Sequence, residues 1–175
     1  MSNQRDLGEV IATCFALVAA AISPLLYPMA ASGYATLHDL ALAWLIPSVA
    51  VIVCLGVLSF RFGWRRLARG LVIGGAIGVL GTVGLEVIRV VGFRAFQSMP
   101  GSMPMVLGVL LTNRIMEGPN SLSNLLGWSY HFWNGAAFGM IYALLLGRRP
   151  WWTGTIYGSL IGIGFMLSPV SSAWE

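Results

Sequence analysis

GLVIGGAIGVLGTVGLEVIRVV, residues 70–91, decides the fold. A helix needs about 20 mostly apolar residues to cross roughly 30 Å of hydrocarbon at 1.5 Å per residue. This stretch has that length, with only Glu86 and Arg89 charged, both near its end. Gly70, Gly74 and Gly78 recur every four residues, which places them on one face of a helix.

Working outward, the sequence predicts further spans. VIATCFALVAAAISPLLYPMA, residues 10–30, reads as a first helix that kinks or frays at Pro24 and Pro28, where a backbone donor is missing. A second covers 37–60 with Pro47 in its middle, which neighbouring helices can accommodate inside a membrane. Two more cover 125–147 and 151–170. Of 175 residues, 57% are hydrophobic and 9% charged, and mean hydropathy is +0.80. Soluble domains carry roughly 25% charged residues, so this balance excludes a water-soluble globule. The chain reads as one all-α integral membrane domain over 1–175, with no room for a second.

Segment 93–124 breaks the pattern. It holds Pro100, Pro104 and Pro119, and its longest clean apolar run, 105–111, is too short to span. The arginines then set the direction. All ten basic residues are Arg, clustered between apolar stretches, and Arg61, Arg65, Arg66 and Arg69 mark a cytoplasmic loop by the positive-inside tendency. Arg148 and Arg149 fall on the same side only if 93–124 stays outside as a re-entrant or interfacial segment. Five spans result, with a cytoplasmic N-terminus and an external C-terminus; six is the second choice. Trp64, Trp128, Trp151 and Trp152 lie near predicted span ends, where Trp favours the headgroup zone. Asp6 and Glu9 spoil the basic region of a signal peptide, so the first helix is expected to remain in place. The layout suits a multi-pass protein of a bacterial or archaeal cytoplasmic membrane.

Small residues also recur four apart at Gly135 and Gly139, and at Gly154, Gly158 and Gly162. Such stripes let helix backbones approach closely where the hydrophobic effect cannot drive association. The expectation is that these two helices and the 70–91 helix pack together, within one chain or across an interface.

The chemically informative feature is a polar set in the outer half: Glu86, Arg89, Asn113, Arg114, Glu117, Asn120, His131 and Asn134, with His38 and Asp39 nearby. Ionisable groups at membrane depth are costly, face the bundle interior and find partners. Glu86 and Arg89 have the spacing of an intrahelical ion pair. Glu86 continues the line of Gly78 and Thr82 at four-residue steps, and His131 precedes Gly135 and Gly139 likewise, so both point into the bundle. One reading is structural: the charges neutralise each other and the amides bond neighbouring backbone. The others are functional. His38 and His131 could ligate a b-type haem, with Arg89 or Arg114 near its propionates. His131, Asn134, Arg89 and Glu86 could instead hold a quinone or a lipid headgroup.

Other classes are weaker. Transport could use Glu86, His131 and the broken outer segment, although no inverted halves are visible. Catalysis could use Glu86 or Glu117 with His131, yet GxSxG, HExxH and paired acidic motifs are missing. No catalytic residue is therefore assigned, and an enzyme acting alone is not expected. Cys14 and Cys54 lack metal-site spacing and read as small hydrophobes. Met99, Met103, Met105 and Met116 lack His or Cys among them, so packing is a better use than copper binding. No basic face is large enough for nucleic acid. The expected role is that of a small subunit or accessory partner in a larger membrane assembly, contacting the bilayer and other subunits, or itself, through its small-residue faces.

Overall fold

The computed structural model describes residues 7–96 and 103–167, and of 165 and 166 the backbone only. The described residues form helices and no strands. The elements are α1 (Leu7–Ala31), α2 (Leu37–Leu40), α3 (Ile46–Arg61), α4 (Arg65–Val91), α5 (Met103–Leu111), α6 (Ser121–Leu145) and α7 (Trp151–Met166). A π turn, Ala41–Leu45, joins α2 to α3, and a second, Gly92–Phe96, prolongs α4. Among the described residues, three helical rods are long and apolar enough to cross a membrane: Leu7–Ala31, Leu37–Arg61 and Arg65–Phe96. α6 is as long as the first, 25 residues, but it carries Asn124, Ser129, Tyr130, His131 and Asn134.

Several expected boundaries shift for local reasons. α1 runs on to Ala31 with Pro24 and Pro28 inside it, so no helix end falls at either proline. The widened π turn lies directly before Pro47, whose ring would otherwise meet the carbonyl of the preceding turn. α4 begins at Arg65 rather than 70, because Glu9 Oε1 accepts the amides of Arg66 at 3.0 Å and Leu67 at 3.1 Å. A carboxylate there satisfies orphan donors and complements the helix dipole. Within 93–124, helix extends further than its prolines suggested: Pro104 sits in the first turn of α5, where its missing N–H costs nothing.

α4 and α6 run antiparallel and form the most extensive seam. A Cβ built on Gly74 would fall 2.7 Å from Gly139 O and from Ala143 Cβ, and one on Gly78 would collide with Gly135 O. α1 adds a stripe of its own, with Ala12, Ala16, Ala19, Ala20 and Ser23 all buried. It packs on Ile52, Leu67, Leu71, Ala136, Ala137, Met140 and Leu144. A second core of Leu26, Tyr27, Leu37, Leu40, Leu107 and Tyr130 closes the other end, where α5 lies on α6 through Gly108 and Gly127. Arg66 Nη2 donates to Leu144 O at 3.0 Å, so the start of α1, the start of α4 and the end of α6 share one end of the bundle.

α7 departs from expectation. Gly154, Gly158 and Gly162 have nothing within 4 Å of an added Cβ, so this stripe packs on neither α4 nor α6. α7 is instead tied to α6 by tyrosines: Tyr157 OH donates to Phe138 O at 3.1 Å, and Tyr142 shares a hydrogen bond with Thr153.

Candidate functional site: a buried Glu–Arg–His cluster

The four-residue register of the α4–α6 seam carries straight into the polar cluster. Gly78 meets Gly139, Thr82 meets Gly135, and one turn further Glu86 meets His131. Thr82 Oγ1 turns back to Gly78 O at 3.0 Å, so the last polar group before the cluster is satisfied within its own helix.

Glu86 Oε2 accepts Arg89 Nη2 at 2.6 Å and Nε at 2.9 Å, a two-pronged pair between residues three apart. His131 Nε2 lies 2.9 Å from the other carboxylate oxygen, Oε1. That distance is within ion-pair range, but the approach is not aligned as a hydrogen bond, and neither atom has another partner. The side chains of Arg89, Glu86 and His131 are 16%, 11% and 15% exposed. The cluster is thus largely shielded. Trp128 packs edge-on to the imidazole, with ring centroids 6.2 Å apart.

Asn134, one turn along α6, faces α1 instead. Its Oδ1 accepts Ser23 Oγ at 2.6 Å, and Tyr130 OH donates to Ser23 O at 2.8 Å. His131 and Asn134 therefore serve two different seams of the same helix.

The remaining members of the expected set are engaged elsewhere. His38 Nδ1 donates to Leu111 O at 2.7 Å, closing the last turn of α5 from α2. Both candidate haem ligands thus already address protein oxygens, on different helix pairs. Arg114 pairs with Glu117 at 2.7 Å in the turn after α5. Asn113 adopts a positive φ of 52° there, a conformation Asn tolerates. Asn120 and Ser123 bond reciprocally as a capping box that starts α6. Asp39 bonds Thr36 at the start of α2. Thus Asn113, Arg114, Glu117, Asn120, His38 and Asp39 end or begin helices, whereas Glu86, Arg89 and His131 form the compact charged site. No group of three His, Cys, Asp or Glu among the described residues could hold a metal ion.

Sequence reasoning missed the α1 contribution. Ala12, Ala16 and Ala20 recur at the same four-residue spacing as the glycines, with Ser23 one turn further on, and that spacing was the available signal. It also missed Gly108 and Gly127, which are single glycines without a stripe.

No protein-family model, no curated protein and no solved structure matches this chain.

Proposed function

We propose that the chain is a small polytopic subunit of a larger membrane assembly, and that Glu86, Arg89 and His131 form a binding site for a polar group arriving from the side of the bundle. The observation that carries this reading is a pair of buried atoms without an aligned hydrogen bond, Glu86 Oε1 and His131 Nε2, facing each other at 2.9 Å inside a largely shielded charged cluster. Ionisable groups at membrane depth are retained where they are used. A ligand with carbonyl or hydroxyl oxygens, such as a quinone headgroup, would satisfy both atoms by entering between them. Axial ligation of haem suits the arrangement less well, since the Nε2 that iron would need faces a carboxylate. Val87, Ile88 and Val91 are exposed beside the site and offer an apolar border for a ligand tail or a partner helix.

In this reading the three apolar rods, α6 and α7 make five spans, with α5 lying on the outer side. Arg61, Arg65, Arg66, Arg69, Arg148 and Arg149 then face the cytoplasm of a bacterial or archaeal cell, and the C-terminus lies outside. The shared bundle end of Arg66 and Leu144 supports that order. Mild detergent extraction followed by native mass analysis tests the role: different protein chains are expected in the particle. A homogeneous homo-oligomer would overturn it and favour transport. Solvent extraction of the purified particle tests the site, with bound quinone expected and its loss in His131→Ala. A Soret band in the spectrum, or unchanged ligand content in that variant, would refute it.

A further inference from the structure

A large opening lies away from the polar cluster's charges. A cleft of about 1390 Å³ separates α7 from the α4–α6 seam, with Arg65, Arg66, Arg69 and Arg148 at one end and apolar or glycine-lined walls along its length. Tyr157 and Tyr142 hold it open. Their rings lie 5.2 Å apart, and their hydroxyls bind Phe138 O and Thr153, which fixes α7 on α6 while leaving the α4 side empty. Gly81, Gly154 and Gly158 line the slot with nothing within 4 Å of an added Cβ.

Charge and length both specify the occupant. Among the described residues no ion pair engages Arg65, Arg69 or Arg148, and Arg66 gives one Nη2 bond to Leu144 O. The nearby carboxylate, Glu9, is spent on the amides of Arg66 and Leu67. Trp151 and Trp152 are exposed just after the Arg148 turn, which marks this end as headgroup depth. Beyond the arginines, the α4 wall over 73–85 is about 18 Å long at 1.5 Å per residue, close to the roughly 15 Å of one leaflet's hydrocarbon. We propose that the cleft binds one anionic phospholipid, its phosphate on Arg65, Arg69 and Arg148 and an acyl chain along the slot between α4 and α7.

The test titrates the full-length protein, in mild detergent, with phosphatidylglycerol or with phosphatidylcholine of identical chains, and counts retained lipid by native mass spectrometry. One phosphatidylglycerol per chain is expected, held at least tenfold more tightly than phosphatidylcholine. The triple variant Arg65→Gln, Arg69→Gln, Arg148→Gln should erase that preference while its helical circular dichroism stays unchanged. Gly158→Phe keeps every arginine and fills the slot, so it should lower retention of both lipids; it also serves if the triple variant does not fold. Equal retention of the two lipids overturns the proposal, as does a preference that survives the triple variant. Full displacement by millimolar inorganic phosphate would show a simple anion site and overturn it too. A lipid-free dimer that refuses phosphatidylglycerol would show that a second copy fills the cleft, and would overturn it equally.

Discussion

Two glycine-striped faces with the same four-residue spacing meet opposite fates in this protein. On α4 and α6 the stripes interlock, and Gly74, Gly78, Gly135 and Gly139 bring backbone against backbone. On α7 the stripe of Gly154, Gly158 and Gly162 touches none of the described residues. The spacing tells which face of a helix is smooth, not what lies against it. What separates the two is the rest of each face. The α4–α6 stripe continues through Thr82 to Glu86 and His131, whose charged contact crosses the seam. The α7 helix has no charged residue, and its tyrosine tethers prop it off the seam.

The sharpest way to break this contrast is to add bulk inside the seam. Gly78→Val would drive a side chain into Gly135 O and the Cα of Ala136, backbone atoms with no rotamer to yield. Overpacking of this kind costs about 3 kcal/mol or more when the neighbour cannot move. A detergent melting curve should show a large drop in Tm or no folded transition at all. A variant that melts like the parent would mean that the seam is looser than its contacts imply.

Next in size is the polar end of the same seam. Glu86→Leu leaves Arg89 without its carboxylate in a shielded site, and breaking such a pair costs about 3 kcal/mol when both partners are buried. The residual exposure of both side chains makes a smaller loss the expectation, about 2 kcal/mol. The double variant Glu86→Leu, Arg89→Leu removes the stranded charge as well and should recover most of that stability. Ligand retention should not recover with it, so the double variant separates the cluster's structural work from its binding role. Recovery of both would return the cluster to a purely structural part.

How much of this was legible in the sequence depends on the range of the interaction. Four-residue steps from Gly78 to Glu86 and from Gly139 to His131 pointed both charged ends into the bundle, and the structure joins them across α4 and α6. The three long apolar rods were legible from length and apolarity alone. The polar residues around 93–124 were not separable, because a capping Asn and a ligand-binding Asn look alike until helix ends are known. Asn120 became a cap only once α6 was seen to start at Ser121, and His38 became one only once α5 was seen to end beside it. The alanine stripe of α1 is a weaker signal because alanine is common in any apolar helix, although its spacing is the same. That α7 stands apart was beyond reach, since a stripe carries no address.

A smaller effect is expected where the seam's register is set at its other end. Glu9 reaches from α1 to the first amides of α4, and its removal in Glu9→Ala leaves two helix-start donors without that acceptor. The loss of such a cap, with its favourable interaction with the helix dipole, is about 1 kcal/mol. Tm should fall by a few degrees, and more so at low salt, where the charge is least screened. An unchanged Tm would show that α1 and α4 are aligned by the Ala12, Ala16 and Leu67 packing alone.

The smallest expected effect is the most telling about the open face. Gly162→Ala adds a methyl group to a helix interior where nothing lies within 4 Å, so it meets no clash. Alanine also restricts the unfolded chain and favours helix over glycine, by roughly 0.5–1 kcal/mol. The variant should therefore melt at the parent's Tm or slightly above, against the large loss at Gly78 for a substitution of similar kind. If Gly162→Ala instead lowers Tm by several degrees in the purified particle, a second helix must lie against α7 there. The two glycine faces would then differ only in whether their partner belongs to the same chain.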